Sequence, residues 1–328
     1  MEHLNKDSTI FLAGHQGMVG SSIFKKLVKS GYKNILTVSK KDLDFTDQKE
    51  VKDFFSNNNF SHLIIAAAKV GGISANDNYK ADFLYENLMI ESNLIHQSFK
   101  KGIESLIFLG SSCIYPRLSE QPIKEDYLLS GELEKTNEGY SLAKISGIKL
   151  CELYNEQYGT DFRCLMPTNL YGPNDNFNAE NSHVIPSLIN KFHQAKKNNL
   201  SEVEIWGTGS PMREFMHVDD LADACLFFME KDKHQIIKLC EEFDRRNSFF
   251  NVGTGKDISI KDLASLMQDL FSFKGEIIFN KSMPDGTPQK LLDVSLMKTL
   301  GWNSKISLKQ GLLDTYSWYE NNLKNLRV

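Results

Sequence analysis

Short apolar runs alternate with segments of helical period through the first half of the chain. Thr9–Ala13 is apolar and stops at Gly14, which predicts a buried parallel strand. A helical pattern follows through Ser30. Asn34–Val38, His62–Ala68, Leu106–Leu109 and Asp161–Met166 read as further strands, the last as the sixth of its sheet. Between them Ala81–Lys101 and a stretch carrying Tyr140 to about Tyr158 have apolar residues at helical spacing. Strand–helix alternation of this kind predicts an α/β fold with a doubly wound parallel sheet. After Pro167–Pro173 loops and short helices take over, so a smaller mixed α/β lobe is expected. The division is 1–170 and 171–328, with a segment around 215–254 returning to the first part. Asp219 or Asp220 is expected to cap a helix, Phe249–Gly253 reads as a strand, and Met283–Pro288 as a loop.

Chemistry enters at the strand ends. Gly14-His15-Gln16-Gly17-Met18-Val19-Gly20 sits between a strand and a helix, the setting a dinucleotide-binding turn requires. The glycines permit a tight turn, approach to a pyrophosphate and helix–strand packing, and the helix N-terminus offers free amides. This points to a Rossmann-type fold. The second strand runs into Ser39-Lys40-Lys41, and basic residues there suit the 2′-phosphate of NADP better than the bare ribose of NAD. Asp44 is either near the adenine or a helix cap. Ala66 and Ala67 are small enough for a flat cofactor to lie close. Tyr140 and Lys144, four apart, share a helix face. An ammonium there would lower the phenol's pKa from about 10 and let it exchange protons with a carbinol oxygen. Ser111, at a parallel-strand end, can donate a hydrogen bond to the same oxygen.

The whole-chain properties narrow the classes. With 328 residues, a net charge of -4 and 41% hydrophobic residues, a soluble globular protein is expected, with neither nucleic acid nor membrane as partner. Five scattered cysteines with no Cys/His metal spacing read as reduced thiols in a cytoplasm, and no metal is expected.

The stretches AGHQGMVGS, AAAKVGGI, LGSSCIYP, MPTNLYGPNDNF, NSHVIPSL, PMREFMHVDD, NVGTG and PDGTPQKLLDV resemble the extended short-chain dehydrogenases/reductases, and most closely the GDP-L-fucose synthase family within them. They run nearly end to end. The resemblance implies an NADP(H)-dependent oxidoreductase that epimerises a GDP-4-keto-6-deoxy-mannose-type sugar at C3 and C5 and then reduces its C4 ketone. It implies Cys113 as base, His183 as acid, Tyr140 as proton donor to the new C4 oxygen, Lys144 as its partner, and Ser111 with Ser112 orienting that oxygen. Leu109, Gly110, Pro167, Thr168, Asn169, Leu170 and His183 join the glycine loop, Lys40, Lys41, Ala66 and Ala67 around the cofactor. Val70, Gly71, Ser111, Cys113, Asn169, Val184, Lys191, Trp206, Arg213, Asp285 and Lys290 fall on the substrate side. A homodimer through a four-helix bundle, built from residues 82–101 and 140–158 of each copy, is also implied.

The chain departs from the family at Gln16, Lys191 and Gln289, where arginine is usual, and at Gly139, where proline is common. These changes surround the ligands rather than the acid–base set. They leave room for a C4-reductase without epimerisation acting on another GDP-4-keto sugar, such as a heptose. A non-catalytic cofactor-sensing protein is the third reading, and the intact Ser, Cys, Tyr, Lys and His set weighs against it.

Overall fold

A computed structural model of the chain describes residues 4–178, 182–243, 249–283 and 285–326, without the side chains of Ile73 and Asn325. Asn181 of NSHVIPSL and Pro284 of the expected Met283–Pro288 loop lie outside them. One sheet has six parallel strands: β1 (Ile10–Ala13), β2 (Ile35–Leu36), β3 (His62–Ile65), β4 (Ser105–Leu109), β5 (Phe162–Pro167) and β9 (Phe249–Val252). Their order is β2-β1-β3-β4-β5-β9. The order in which the chain lays down its strands reverses between β1 and β3, and ligands of such sheets bind outside the carboxyl ends at that point. The strand expected as sixth, Asp161–Met166, is therefore fifth in the chain, and the outer place beyond it is filled by β9. The short β2 is half-exposed at the sheet edge, which accounts for its two residues against the five expected.

Alternate residues of these strands feed two cores, as a sheet covered on both faces demands. Ile10, Leu12, Ile64, Ile107, Leu165 and Phe250 face α1 (Met18–Lys29), α7 (Val218–Glu230), α8 (Lys233–Glu242) and α10 (Ser295–Thr299). Phe11, Leu63, Ile65, Leu106, Phe108 and Phe162 face α2 (Gln48–Asn57), α4 (Lys80–Lys101) and α5 (Glu138–Tyr158). The short α3 (Ile73–Asn78) leads from the β3 loop into α4. Helix α7 is capped by His217, whose Nδ1 accepts from the Asp219 amide at 3.2 Å, rather than by Asp219 or Asp220. Likewise α2 is capped by Asp47, while the Asp44 carboxylate accepts from the Thr46 amide and hydroxyl. In both cases the residue that caps is the one just before the first helical turn.

A third core joins the remaining elements: α6 (Val184–Lys197), α9 (Ile260–Leu270), α11 (Leu308–Asn321), β7 (Glu202–Trp206) and β8 (Met212–His217). Strand β8 is central here. It pairs with β6 (Asn169–Tyr171), β10 (Asp257–Ser259) and β12 (Gln289–Lys290), while β11 (Glu276–Asn280) pairs with β7.

Candidate active site

The glycine turn shapes the first part of the site. A Cβ on Gly20 would lie 2.1 Å from the Gly14 carbonyl oxygen, and one on Gly14 would lie 2.6 Å from the Ala67 amide. The turn is thus locked onto α1 on one side and onto Ala66–Ala67 at the end of β3 on the other. Gly17 caps α1 without a side chain, and the first turn of α1 holds no acidic residue. Its leading amides, with those of Met18 and Val19, suit a pyrophosphate. Gly110 after Leu109 and the segment Pro167-Thr168-Asn169-Leu170 close the same edge; the Asn169 amide donates to Glu214 O at 2.8 Å. This donor set fits a dinucleotide. Lys40 and Lys41 lie exposed beyond β2, Lys40 near enough to Asp44 to lower its pKa after the Thr46 hydrogen bonds. Gln16 is exposed on the turn.

The candidate acid–base residues come from three elements. After β4 a 3₁₀ turn, Ser112–Ile114, is capped by Ser111, whose hydroxyl accepts from the Cys113 amide at 3.2 Å. Ser112 is buried in this turn. Helix α5 docks on it through Ser141, whose hydroxyl donates to Cys113 O at 2.8 Å. That bond puts Tyr140 and Cys113 on one wall. The Ser111 hydroxyl lies near enough to Tyr140 to favour the phenolate. Burial acts more strongly and pushes the phenol's pKa up, with the charges of Cys113 and Glu91 adding to it. Sequence reasoning expected Lys144 to lower this pKa. Its ammonium is buried instead against the Glu91 carboxylate at 3.5 Å, 5.9 Å from the centre of the Tyr140 ring, so the positive field is offset by its own counter-ion.

The second lobe brings two cations to Cys113. Lys290 Nζ is 3.6 Å from its Sγ, and Arg213 is close enough that the thiolate would favour the guanidinium. Register explains the pairing, since Lys290 of β12 lies beside Arg213 of β8. A cavity of about 30 Å³ opens here, lined by Ser112, Cys113, Asn137, Gln289 and Lys290 among others. A larger groove of about 750 Å³ between α2 and α4 holds none of the candidate residues. Asp285 lies near Arg213 and accepts from the Thr208 amide and hydroxyl at 2.8 and 2.7 Å. Lys191 forms a separate group with Trp206: its Nζ donates to Glu204 O at 2.9 Å and stands 5.4 Å over the indole, which is half exposed. Val70 and Val184 are exposed, and Gly71 lies in the loop leading to α3. His183 stands at the N-cap position of α6 without a side-chain capping bond; desolvation of its imidazole lowers the pKa, and among the described residues no hydrogen bond joins it to Cys113.

Sequence reasoning missed Glu91, Glu214 and Asn251. Each is a polar residue with under 2% exposure at a buried position of its helix or strand, and the available signal was a polar side chain at a position that the helical or strand period turns inward.

The profile of the family described as "NAD dependent epimerase/dehydratase family" matches residues 10–240. The "GDP-L-fucose synthase" of Escherichia coli (strain K12) is 50% identical over 318 residues, 97% of this chain and 98% of its own. "GDP-L-fucose synthase 1" of Arabidopsis thaliana is 49% identical over 321 residues, 98% of this chain and 96% of its own. Among solved structures, CJ1428 of Campylobacter jejuni, a "GDP-D-glycero-L-gluco-heptose synthase" crystallised in the presence of NADPH, superposes with a TM-score of 0.90 at 38% identity, covering 97% of this chain and 100% of that one. With a glycine turn, a Ser–Tyr–Lys set and near-complete relatives at half identity, the chain belongs to the NAD dependent epimerase/dehydratase family, on the branch of the GDP-L-fucose synthases.

Proposed function

We propose that the protein is an NADPH-dependent epimerase and C4-ketone reductase acting on a GDP-4-keto-6-deoxy-mannose-type sugar. The observation that carries this reading is the wall shared by Tyr140 and Cys113, with Lys290 3.6 Å from the thiol. It supports two kinds of proton chemistry side by side. A ketone acidifies the protons of its ring, and a Cys113 thiolate held by Lys290 and Arg213 removes them at C3 and C5 in turn. His183 returns a proton to the other face. A bound NADPH supplies the hydride for the C4 carbon. Tyr140 then gives its proton to the oxygen while Ser111 and Ser112 orient it. Arg213 and Lys191 hold the pyrophosphate and sugar, Trp206 walls the base, and Asp285 fixes the closing loop; guanidinium suits phosphate by bidentate contact.

Residues 1–170 hold the cofactor and 171–328 most of the substrate, with 215–254 returning to the cofactor part. Two copies pair through α4 and α5, which pack side by side and leave Tyr85, Leu142 and Leu153 exposed. Five free cysteines and the lack, among the described residues, of a helix long and apolar enough to cross a membrane support a cytoplasmic site of action. A C4-reductase of a GDP-heptose is the second reading, favoured by the Campylobacter jejuni neighbour and by Lys191 and Gln289 near the ligand.

The test is the NMR spectrum of product made in D2O from GDP-4-keto-6-deoxymannose. Deuterium at C3 and C5 of a C4-reduced sugar is expected, and Cys113→Ser should suppress that exchange far more than reduction. A reduced product without deuterium selects the second reading, and no NADPH oxidation with any 4-keto sugar removes both.

A further inference from the structure

Helix α4 contributes one charged residue to the interior beneath the catalytic phenol. Glu91 and Lys144 have side chains only 2% and 3% exposed, with Oε2 and Nζ 3.5 Å apart. The packing leaves space for the carboxylate, whose two oxygens are buried without a hydrogen-bond partner among the described residues. A Cβ on Gly147 would lie 3.0 Å from the Glu91 Cδ and 2.6 Å from the Phe108 ring, so glycine at that turn of α5 leaves room for the side chain. The Phe108 ring covers the ammonium from below at 4.6 Å, and Tyr140 lies beyond it. Lys144 is thus held on three sides, and Glu91 is its only anionic contact among the ion pairs of the described residues.

We propose that Glu91 is a positioning residue for the reduction: its carboxylate keeps Lys144 charged and fixed beside Tyr140, and protonation of that carboxylate releases the lysine. This rests on the reductase reading above. Burial alone drives the Lys144 pKa down, and Glu91 is the main influence opposing it. A buried ammonium without a partner sheds its proton. The Glu91 carboxyl itself is pushed up to about 7 by burial, with Lys144 and the Gly147 amide pulling it back. The pair therefore changes charge near neutrality. The other titratable groups facing it are Tyr140 and Cys151 on α5, which feel its charge, and Cys164 on β5, which acts on Lys144. Burial raises Tyr140 and Cys151, so both stay neutral there.

The experiment compares the full-length wild-type protein with Glu91→Gln and Glu91→Asp. Infrared difference titration of the unliganded protein is expected to show a carboxylic-acid carbonyl band appearing as pH falls through neutrality. The band should be absent in Glu91→Gln and displaced in Glu91→Asp. In the reduction assay Glu91→Gln should lose on the order of 10- to 100-fold in kcat with KM little changed. Its pH profile should lose the inflection near neutrality, and Glu91→Asp should restore it in part. A wild-type kcat and pH profile in Glu91→Gln overturns the proposal, as does a wild-type spectrum with no carboxyl protonation near neutrality. Equal losses in both variants with the inflection intact also overturn it, because that is a purely structural role. If Glu91→Gln fails to fold, Glu91→Asp decides: an unchanged profile and an unmoved band refute the claim. The infrared arm needs no substrate, so failure of the reductase reading leaves it able to judge the pair.

Discussion

Tyr140 joins a strong functional motif to an unexpected electrostatic setting. Two short signals, the four-residue spacing to Lys144 and the serine at the end of β4, made its proposed role legible in the sequence. Its acidity was not legible, because that depends first on burial in the folded site, with the charges of Cys113 and of Glu91, 49 positions earlier on another helix, adding to it. A phenol whose pKa burial raises remains protonated further into the alkaline range than free tyrosine. In its proposed role as proton donor Tyr140 stays competent until pH exceeds its own pKa, so the alkaline loss of kcat should begin above about pH 10. Measuring kcat for ketone reduction against pH checks this, and a basic limb well below that range would show that another group donates. Tyr140→Phe should lose about 10²- to 10⁴-fold in reduction while binding the cofactor as the wild type does, as read by quenching of NADPH fluorescence. Full reduction by that variant would remove the phenol from the chemistry.

At the scale of elements, alternation of apolar strands with helices exposed most of the main sheet. Both β2 and β9 were legible as strands, but not the two-residue length of β2 at the half-exposed sheet edge, nor the pairing of β9 with β5, which is a contact far away in sequence. Polar residues inside strands were similarly hidden. His62 begins β3, is 2% exposed, and has its Nδ1 2.8 Å from the Ser61 hydroxyl. Burial pushes its imidazole down to about 4, with Arg163 adding to the effect and Asp161 opposing it. A histidine depressed in the folded state keeps its full stability contribution above the unfolded value of about 6.5 and loses it as pH falls toward the folded value. The loss approaches about 3 kcal/mol over that window. Urea midpoints at about pH 7 and about pH 4.5 should therefore converge in His62→Gln relative to wild type. If both proteins lose equal stability on acidification, His62 is not the source of the sensitivity.

The molecule as a whole depends on how β8 and the strands paired with it are fastened to the six-stranded sheet, since Cys113 and Tyr140 stand on one part and Arg213 and Lys290 on the other. The fastening runs through two polar hubs. Asn251 of β9 accepts from the Tyr115 hydroxyl at 2.6 Å, donates to Ile123 O and Asp293 O, and its amide donates to Glu125 at 2.9 Å. Glu214, beside Arg213 in β8, is fully buried and accepts from the amides of Thr254, Gly255 and Leu292 at 2.6, 2.7 and 3.0 Å. It thereby ties β8 to the segment just before β10 and to the chain just past β12, which carries Lys290. Burial raises the carboxyl's pKa against the pull of these same hydrogen bonds, so part of their strength offsets its desolvation. Hydrogen bonds to a charged group contribute about 1.5–3 kcal/mol each, and the amides left behind would be buried without partners. Glu214→Ala should then cost about 3–5 kcal/mol of stability after the relieved desolvation is counted. Because the same bonds set where Arg213 and Lys290 meet Cys113, the variant should also raise KM for the sugar nucleotide and weaken proton exchange more than cofactor binding. Urea denaturation together with D2O exchange and NADPH titration separates these effects. A variant within about 1 kcal/mol of wild type, with exchange intact, would mean that β8 is held by its strand pairing alone.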